Sequence, residues 1–257
     1  GPDNKWTTSL NWQGGTGYPD AAGDVATFNA AGTVLLDMSG VLTIGRLQLT
    51  SSTPKTVRIE ADPGAAFTFS GIAAPNSGFK VDGHADNRLV VAPDIVAPSR
   101  IDRLGGGTVE FEGAVSNTMT SGYALIFGAG STLFSGNASL AVPSAIVGIG
   151  NGSPAVVTLT NQAVWSVNEL QFGVASSGTT RGTLVQDSED SEVTAGLVRL
   201  QYHNVGSPTN VFYRLRKGKL TAAEMIVGEK APGSFENEEG ELRSGKVQVR
   251  NGEFVQR

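Results

Sequence analysis

The sequence predicts an all-β fold, a right-handed parallel β-helix of about ten coils, with an antiparallel β-sandwich or jelly roll as the alternative. Three observations carry this. The first is a series of short strand signals rich in Val, Leu, Ile, Thr and Phe, mostly bounded by Gly, Pro, Asn or Ser. The second is glycine, at 34 of 257 residues, about twice its ordinary share, which calls for frequent tight turns. The third is a degenerate repeat: residues 213–249 follow the plan of residues 158–200, an apolar strand, a Gly turn, a polar lead and a second strand.

Taken in order, residues 1–30 form an aromatic cap. Trp6, Trp12 and Phe28 concentrate apolar area at one end, where a stack of strands must cover its open edge or risk end-to-end pairing. Strand signals follow at TVLLDM (33–38), VLTIGRLQLT (41–50), KTVRIEA (55–61), AFTFSG (66–71), RLVVAP (88–93) and GTVEFEG (107–113). They continue at ALIFG (124–128), STLFSG (131–136), AVVTLTN (155–161), AVWSV (163–167), LVRLQY (197–202), NVFYRL (210–215) and KVQVRNGEFV (246–255). Helical periodicity is nearly absent; the best stretch, LTAAEMIVG (220–228), is short and stands where other copies place a strand.

The repeat is clearest in the second half. Strands end near Gly148, Gly173, Gln201 and Gly228, and the next begin near Val156, Thr183, Val211 and Ser234, a spacing of roughly 21 to 28 residues. One such unit cannot bury its apolar face, but stacked units can, each strand pairing in parallel with its equivalents about 4.8 Å above and below. Hairpin dipeptides, which the sandwich needs, are few: Asn151-Gly152 and Asn251-Gly252. Strand spacing shows no linker, so residues 1–257 read as a single solenoid domain. Gly1-Pro2 reads as a protease-cleavage scar, so an export signal is expected to have been removed and the C-terminus to be cut from a longer chain with flanking repeats.

Composition narrows function. The net charge of -5 offers no basic field for nucleic acid. No apolar run reaches the length of a membrane-spanning helix, so no membrane insertion is expected. With no cysteine, thiol nucleophiles, disulfides and Cys-ligated metals are excluded. Charge is uneven: between Ala114 and Thr180 only Glu169 is charged, whereas residues 181–257 carry eleven acids and eleven bases.

The opening order of Trp6, Asn11-Trp12, a Gly-rich turn, Gly23-Asp24-Val25-Ala26 and Phe28, then LTIGRLQL, resembles the start of large secreted bacterial proteins with autotransporter-associated β-strand repeats. The later plan L…I.VG…GSF…G.L is similar to the degenerate repeats of those proteins. The resemblance implies a right-handed parallel β-helix, secreted or displayed at the cell surface, and brings no catalytic residue with it. SFENEEGEL (234–242) departs from it in being far more acidic.

Candidate site residues fall into four groups. Trp6, Trp12 and Tyr18 form either a cap or a sugar-stacking platform. Asp187, Glu189, Asp190 and Glu192 form one acidic cluster, and Glu236, Glu238, Glu239 and Glu241 another; alternation along strands pairs their carboxylates and stacking brings the clusters together, which suits calcium or, with one raised pKa, glycoside chemistry. Like charges at coil edges also discourage aggregation. Arg214 and Arg216, with Lys217 and Lys219, either pair with those acids or neutralise a uronate, and Tyr202 and His203 offer a ligand contact and a general base. Asp82, His84, Asp86 and Asn87 alternate on a Gly-bearing turn that reads as solvated or, with fewer carboxylates than a calcium loop has, as a metal site. The reading is a non-catalytic structural or adhesive module that binds polysaccharide; the alternative is a β-helical polysaccharide lyase or glycoside hydrolase, or its carbohydrate-binding accessory domain.

Overall fold

The computed structural model describes residues 3–12, 17–74, 76–149, 154–174, 181–201 and 211–257. Strands β1 (Val25–Phe28), β2 (Gly32–Leu36), β3 (Gly40–Ile44) and β4 (Arg46–Thr50) open the fold. Next come β5 (Thr56–Ala61), β6 (Ala65–Phe69), β7 (Gly78–Asp82), β8 (Arg88–Val91), β9 (Asp94–Ala97) and β10 (Ile101–Leu104). They are followed by β11 (Thr108–Phe111), β12 (Ala114–Asn117), β13 (Leu125–Phe127) and β14 (Gly130–Phe134). Longer strands then alternate with short ones: β15 (Ser139–Ile149), β16 (Ala155–Leu159), β17 (Val164–Val174), β18 (Gly182–Gln186) and β19 (Glu192–Leu200). The last are β20 (Val211–Leu215), β21 (Lys219–Val227), β22 (Gly233–Asn237), β23 (Glu241–Val249) and β24 (Gly252–Gln256). Among the described residues the one helix is a 3-10 turn at Ser9–Asn11.

The chain is a β-solenoid. One sheet has ten strands in the order β2-β5-β8-β11-β14-β16-β18-β20-β22-β24. A second has fourteen; its two branches, β1-β4-β7-β10-β13 and β3-β6-β9-β12, merge at β15 and continue through β17, β19, β21 and β23. Neighbouring strands pair in parallel throughout, as in β11 with β14 and β15 with β17, and this excludes the antiparallel sandwich. The expected register holds: Ile146 pairs Gln171, Gln171 pairs Arg199 and Arg199 pairs Ile226. On the other sheet Val156 pairs Thr183, Thr183 pairs Phe212 and Phe212 pairs Ser234.

The merger has a local cause. Register pairs skip Pro143 opposite Asn168, then Gly196, Ala223 and Gly245, so one residue per coil turns the corner inside a continuous strand. At position 196 a Cβ would lie 2.7 Å from the Asn168 carbonyl oxygen, so Gly196 sits close against the coil before it. The next corner stacks Gly148, Gly173, Gln201 and Gly228, all with φ between 57° and 81°. LTAAEMIVG is strand β21: pairing with β19 and β23 and burial of Leu220, Ala222, Met225 and Val227 override its helix propensity.

Inward positions stack into ladders. Leu184, Tyr213 and Phe235 follow one another in register, as do Phe111, Phe134 and Leu159, and all are buried. Aromatic rings touch between coils, with centroids 5.0 Å apart for Phe111 and Phe134 and 5.4 Å for Tyr213 and Phe235. One apolar core thus runs the length of the stack.

Candidate functional site

The aromatic opening packs against the first strands. Asn4 to Trp6 lie along the free edge of β2, with Trp6 N donating to Leu35 O and Leu35 N donating to Asn4 O, both at 2.7 Å. Trp6 is fully buried, edge-on to Trp12 at 4.8 Å and to Phe67 at 5.4 Å. Its indole N–H donates to Pro19 O at 2.9 Å, and that of Trp12 donates to Trp6 O at 2.7 Å. Trp6 therefore has no face for a sugar; Trp12 and Tyr18, partly buried against the core, keep part of theirs.

Trp12 borders a hollow of about 510 Å³ together with Asp3, Lys5, Asn11, Phe28 and Asn29. Asp3 accepts from Lys5 N at 3.1 Å, from Asn11 Nδ2 at 2.9 Å and from Thr8 Oγ1 at 3.0 Å. The Lys5 N–H, then the Asn11 amide, hold its carboxyl below the usual range. An aromatic wall beside amides and a fixed carboxylate is chemistry suited to a sugar ring.

The acidic clusters are laced to bases of the neighbouring coil. Arg214 pairs Glu236 at 3.0 Å, with its guanidinium 5.0 Å from the Phe212 ring centre. Arg216 pairs Asp187 at 3.5 Å, Lys217 pairs Glu189 at 3.3 Å and Lys219 pairs Glu192 at 3.6 Å. Stacking brings part of the two clusters together: Glu189, Glu192, Glu239 and Glu241 line a hollow of about 490 Å³ with Lys217 and Lys219 between them. Asp190 and Glu238 are not among its walls. Among the described residues no group of three or more His, Asp and Glu side chains is arranged to hold a metal ion. Tyr202 and His203 lie outside the described residues.

The Asp82–Asn87 turn separates its polar groups. Asn87 is buried, donates to Ser51 O at 2.8 Å and to Asp82 O at 2.7 Å, and accepts from Lys55 N at 2.9 Å. It brackets two coils. Asp82 turns to Lys80 at 2.9 Å, while His84 Nδ1 accepts from Asp86 N at 3.1 Å.

Sequence reasoning missed Arg103. It is fully buried and donates to the carbonyls of Gly105, Gly107, Ala129 and Ser131, tying one turn to the next. Burial lowers its pKa to about 10, so it stays charged at neutral pH in a cage of carbonyl dipoles. Beside it Asp102 is buried, and burial raises its carboxyl against the pull of Arg100. The one sequence signal was an arginine beside Gly105-Gly106-Gly107, which alone points to no role.

No family model matches the chain, and no curated protein or solved structure matches it.

Proposed function

We propose that this chain is a non-catalytic structural module, an extracellular or cell-surface β-solenoid that binds polysaccharide at its capped end. The observation that carries the reading is the engagement of flank charges with one another: Arg214, Arg216, Lys217 and Lys219 each meet an acid of a neighbouring coil, so the ionisable groups hold the stack together. The extracellular setting rests on the resemblance of residues 6–49 to secreted proteins with autotransporter-associated repeats. The ligand class rests on the hollow beside Trp12.

The test is retention on a panel of immobilised neutral and uronate polysaccharides, with calcium and with a chelator. Binding that Trp12→Ala abolishes while the melting temperature holds supports the site, and retention by no polysaccharide removes the ligand from the reading. The hollow of Glu189, Glu192, Glu239 and Glu241 favours a second reading, a β-helical polysaccharide lyase or glycoside hydrolase. New reducing ends or an unsaturated product, lost on Glu239→Gln, establish that reading and overturn the first.

A further inference from the structure

The branch β3-β6-β9-β12 continues, through the segments of β15, β17, β19, β21 and β23 that precede the corner, as one outer face along the side of the solenoid. Burial alternates along its strands, as in Val164–Val167, so each strand turns two side chains outward. From β3 to β17 those outward positions are small or apolar, and Asp94 is their one charge. Val41, Val96 and Val164 stand 54%, 41% and 41% exposed among them. In one outward column Asp94 is followed by Ala114, Ser139 and Val164. Beyond Val164 the same column carries Glu192, Lys219 and Glu241, alternating in sign.

Asp94 accepts from Ala114 N at 2.8 Å and pairs with no base among the described residues. Lys219 pairs Glu192 at 3.6 Å, with its side chain 33% exposed, so its ammonium keeps room for a second acid. The two stand symmetrically in the sheet. β9 is the third strand on one side of the gap between β15 and β17, and β21 is the third on the other.

We infer that this face is a self-association surface on which a second copy of the chain lies side by side with the first, the two solenoids antiparallel. The two-fold axis lies in the contact plane, along the strands and over the gap between β15 and β17, so each column faces itself with the strand order reversed. Asp94 then meets the partner's Lys219, once on each side of the axis. Large residues meet small ones: Val164 faces the partner's Ser139, and Glu192 the partner's Ala114. No like charges are opposed. Moving the axis by half a strand spacing either way sets Asp94 against the partner's Glu192 or the partner's Glu241 within a strand or two, and an axis along the solenoid sets it against the partner's Val96, so charge selects one arrangement. Eight strands at about 4.8 Å each, by four residues at about 3.3 Å, give the two faces together on the order of 1,000 Å², the area of a weak, reversible complex.

Sedimentation and light scattering across a dilution series test this. The unaltered chain is expected to reach twice its own mass and to dissociate on dilution. Ala141→Arg with Val164→Arg, which sets charges at the centre of the face, is expected to give a monomer with unchanged strand content by circular dichroism. Val25→Arg, at a position 40% exposed on β1 and outside this face, is expected to leave the dimer intact. Asp94→Lys is expected to weaken association about tenfold. The arrangement is read by cross-linking, since the chain has no cysteine of its own. Val96 and Thr221 lie five strand spacings apart in one chain, about 24 Å, but face each other across the contact at about 10 Å, the usual distance between packed sheets. Val96→Cys with Thr221→Cys is therefore expected to give a covalent dimer with a short bis-maleimide, and either substitution alone is not. A monomer at every concentration, a dimer that survives the paired Arg substitutions, or a single-cysteine variant that cross-links as well as the double one overturns the inference.

Discussion

Two glycines with the same backbone but different surroundings measure how strictly the coils are fitted. Gly228 has φ of +68°, and a Cβ there would overlap the carbonyl oxygen of Asn251, in the turn leading into β24. Gly64 has φ of +82°, and a Cβ there would meet nothing within 4 Å. For Gly64→Ala the left-handed backbone costs about 1–2 kcal/mol and the stiffer unfolded chain returns about 0.4–1 kcal/mol, leaving about 0–1.5 kcal/mol. Gly228→Ala carries the same terms plus an overlap with backbone, which no rotamer change relieves. Overpacking of that kind adds about 1–3 kcal/mol, for a total of about 1–4.5 kcal/mol. Thermal unfolding should separate the two, since at this size about 1 kcal/mol moves the midpoint by 2–4 °C. Because solenoid coils depend mainly on their neighbours, hydrogen exchange should locate the Gly228→Ala damage at β24, with Phe254 lifted from its stack on Phe235. Equal costs at both positions, or unchanged protection of β24, would refute the close fit of the last turn.

At the same corner, Gln201 has φ of 57° and a buried carboxamide whose nitrogen and oxygen have no hydrogen-bond partner among the described residues; Gln201→Gly should be about 0.5–1 kcal/mol more stable than Gln201→Ala in urea unfolding, the reverse of ordinary strand preference, and an Ala variant at least as stable would remove the strain argument. Glu112 receives both terminal nitrogens of Arg58, at 2.8 and 2.6 Å, and this pairing lowers its pKa from 4.5. Its folded pKa is below its unfolded value, so the stabilisation is fully present above about pH 4.5 and is lost as pH falls through the folded pKa. Glu112→Gln should therefore flatten the acid limb of the stability curve below that pH; an unchanged limb would refute the assignment.

The fold was legible where turns kept a constant length. Between Gly148 and Gly228 the corner residues recur at nearly even spacing, and each holds a left-handed backbone, including Gln201, which keeps the corner's geometry without being glycine. The earlier coils hid their period because turn length varies. Val57 pairs Leu89, 32 residues on, and Leu89 pairs Val109, 20 residues on, so no fixed interval links equivalent strands. The packing of the opening aromatics together was legible because Trp6, Trp12 and Phe28 crowd a short opening segment. The burial of Trp6 was not, since only the partners Phe67 and Pro19 decide which indole turns inward.

The candidate site was less legible for a reason built into a solenoid: the neighbour that sets a side chain's electrostatics is one coil away, far along the chain. QDSEDSE and FENEEGE read as runs of like charge, yet along one column Glu192, Lys219 and Glu241 alternate in sign, and along another Arg214 lies beside Glu236. Opposite charges side by side on adjacent parallel strands each add about 0.2–1 kcal/mol, whereas like charges there destabilise. Alternation down the columns therefore resolves the repulsion that clustering along the chain creates. The same logic explains Arg103, whose carbonyl partners Gly105 and Ala129 belong to successive turns.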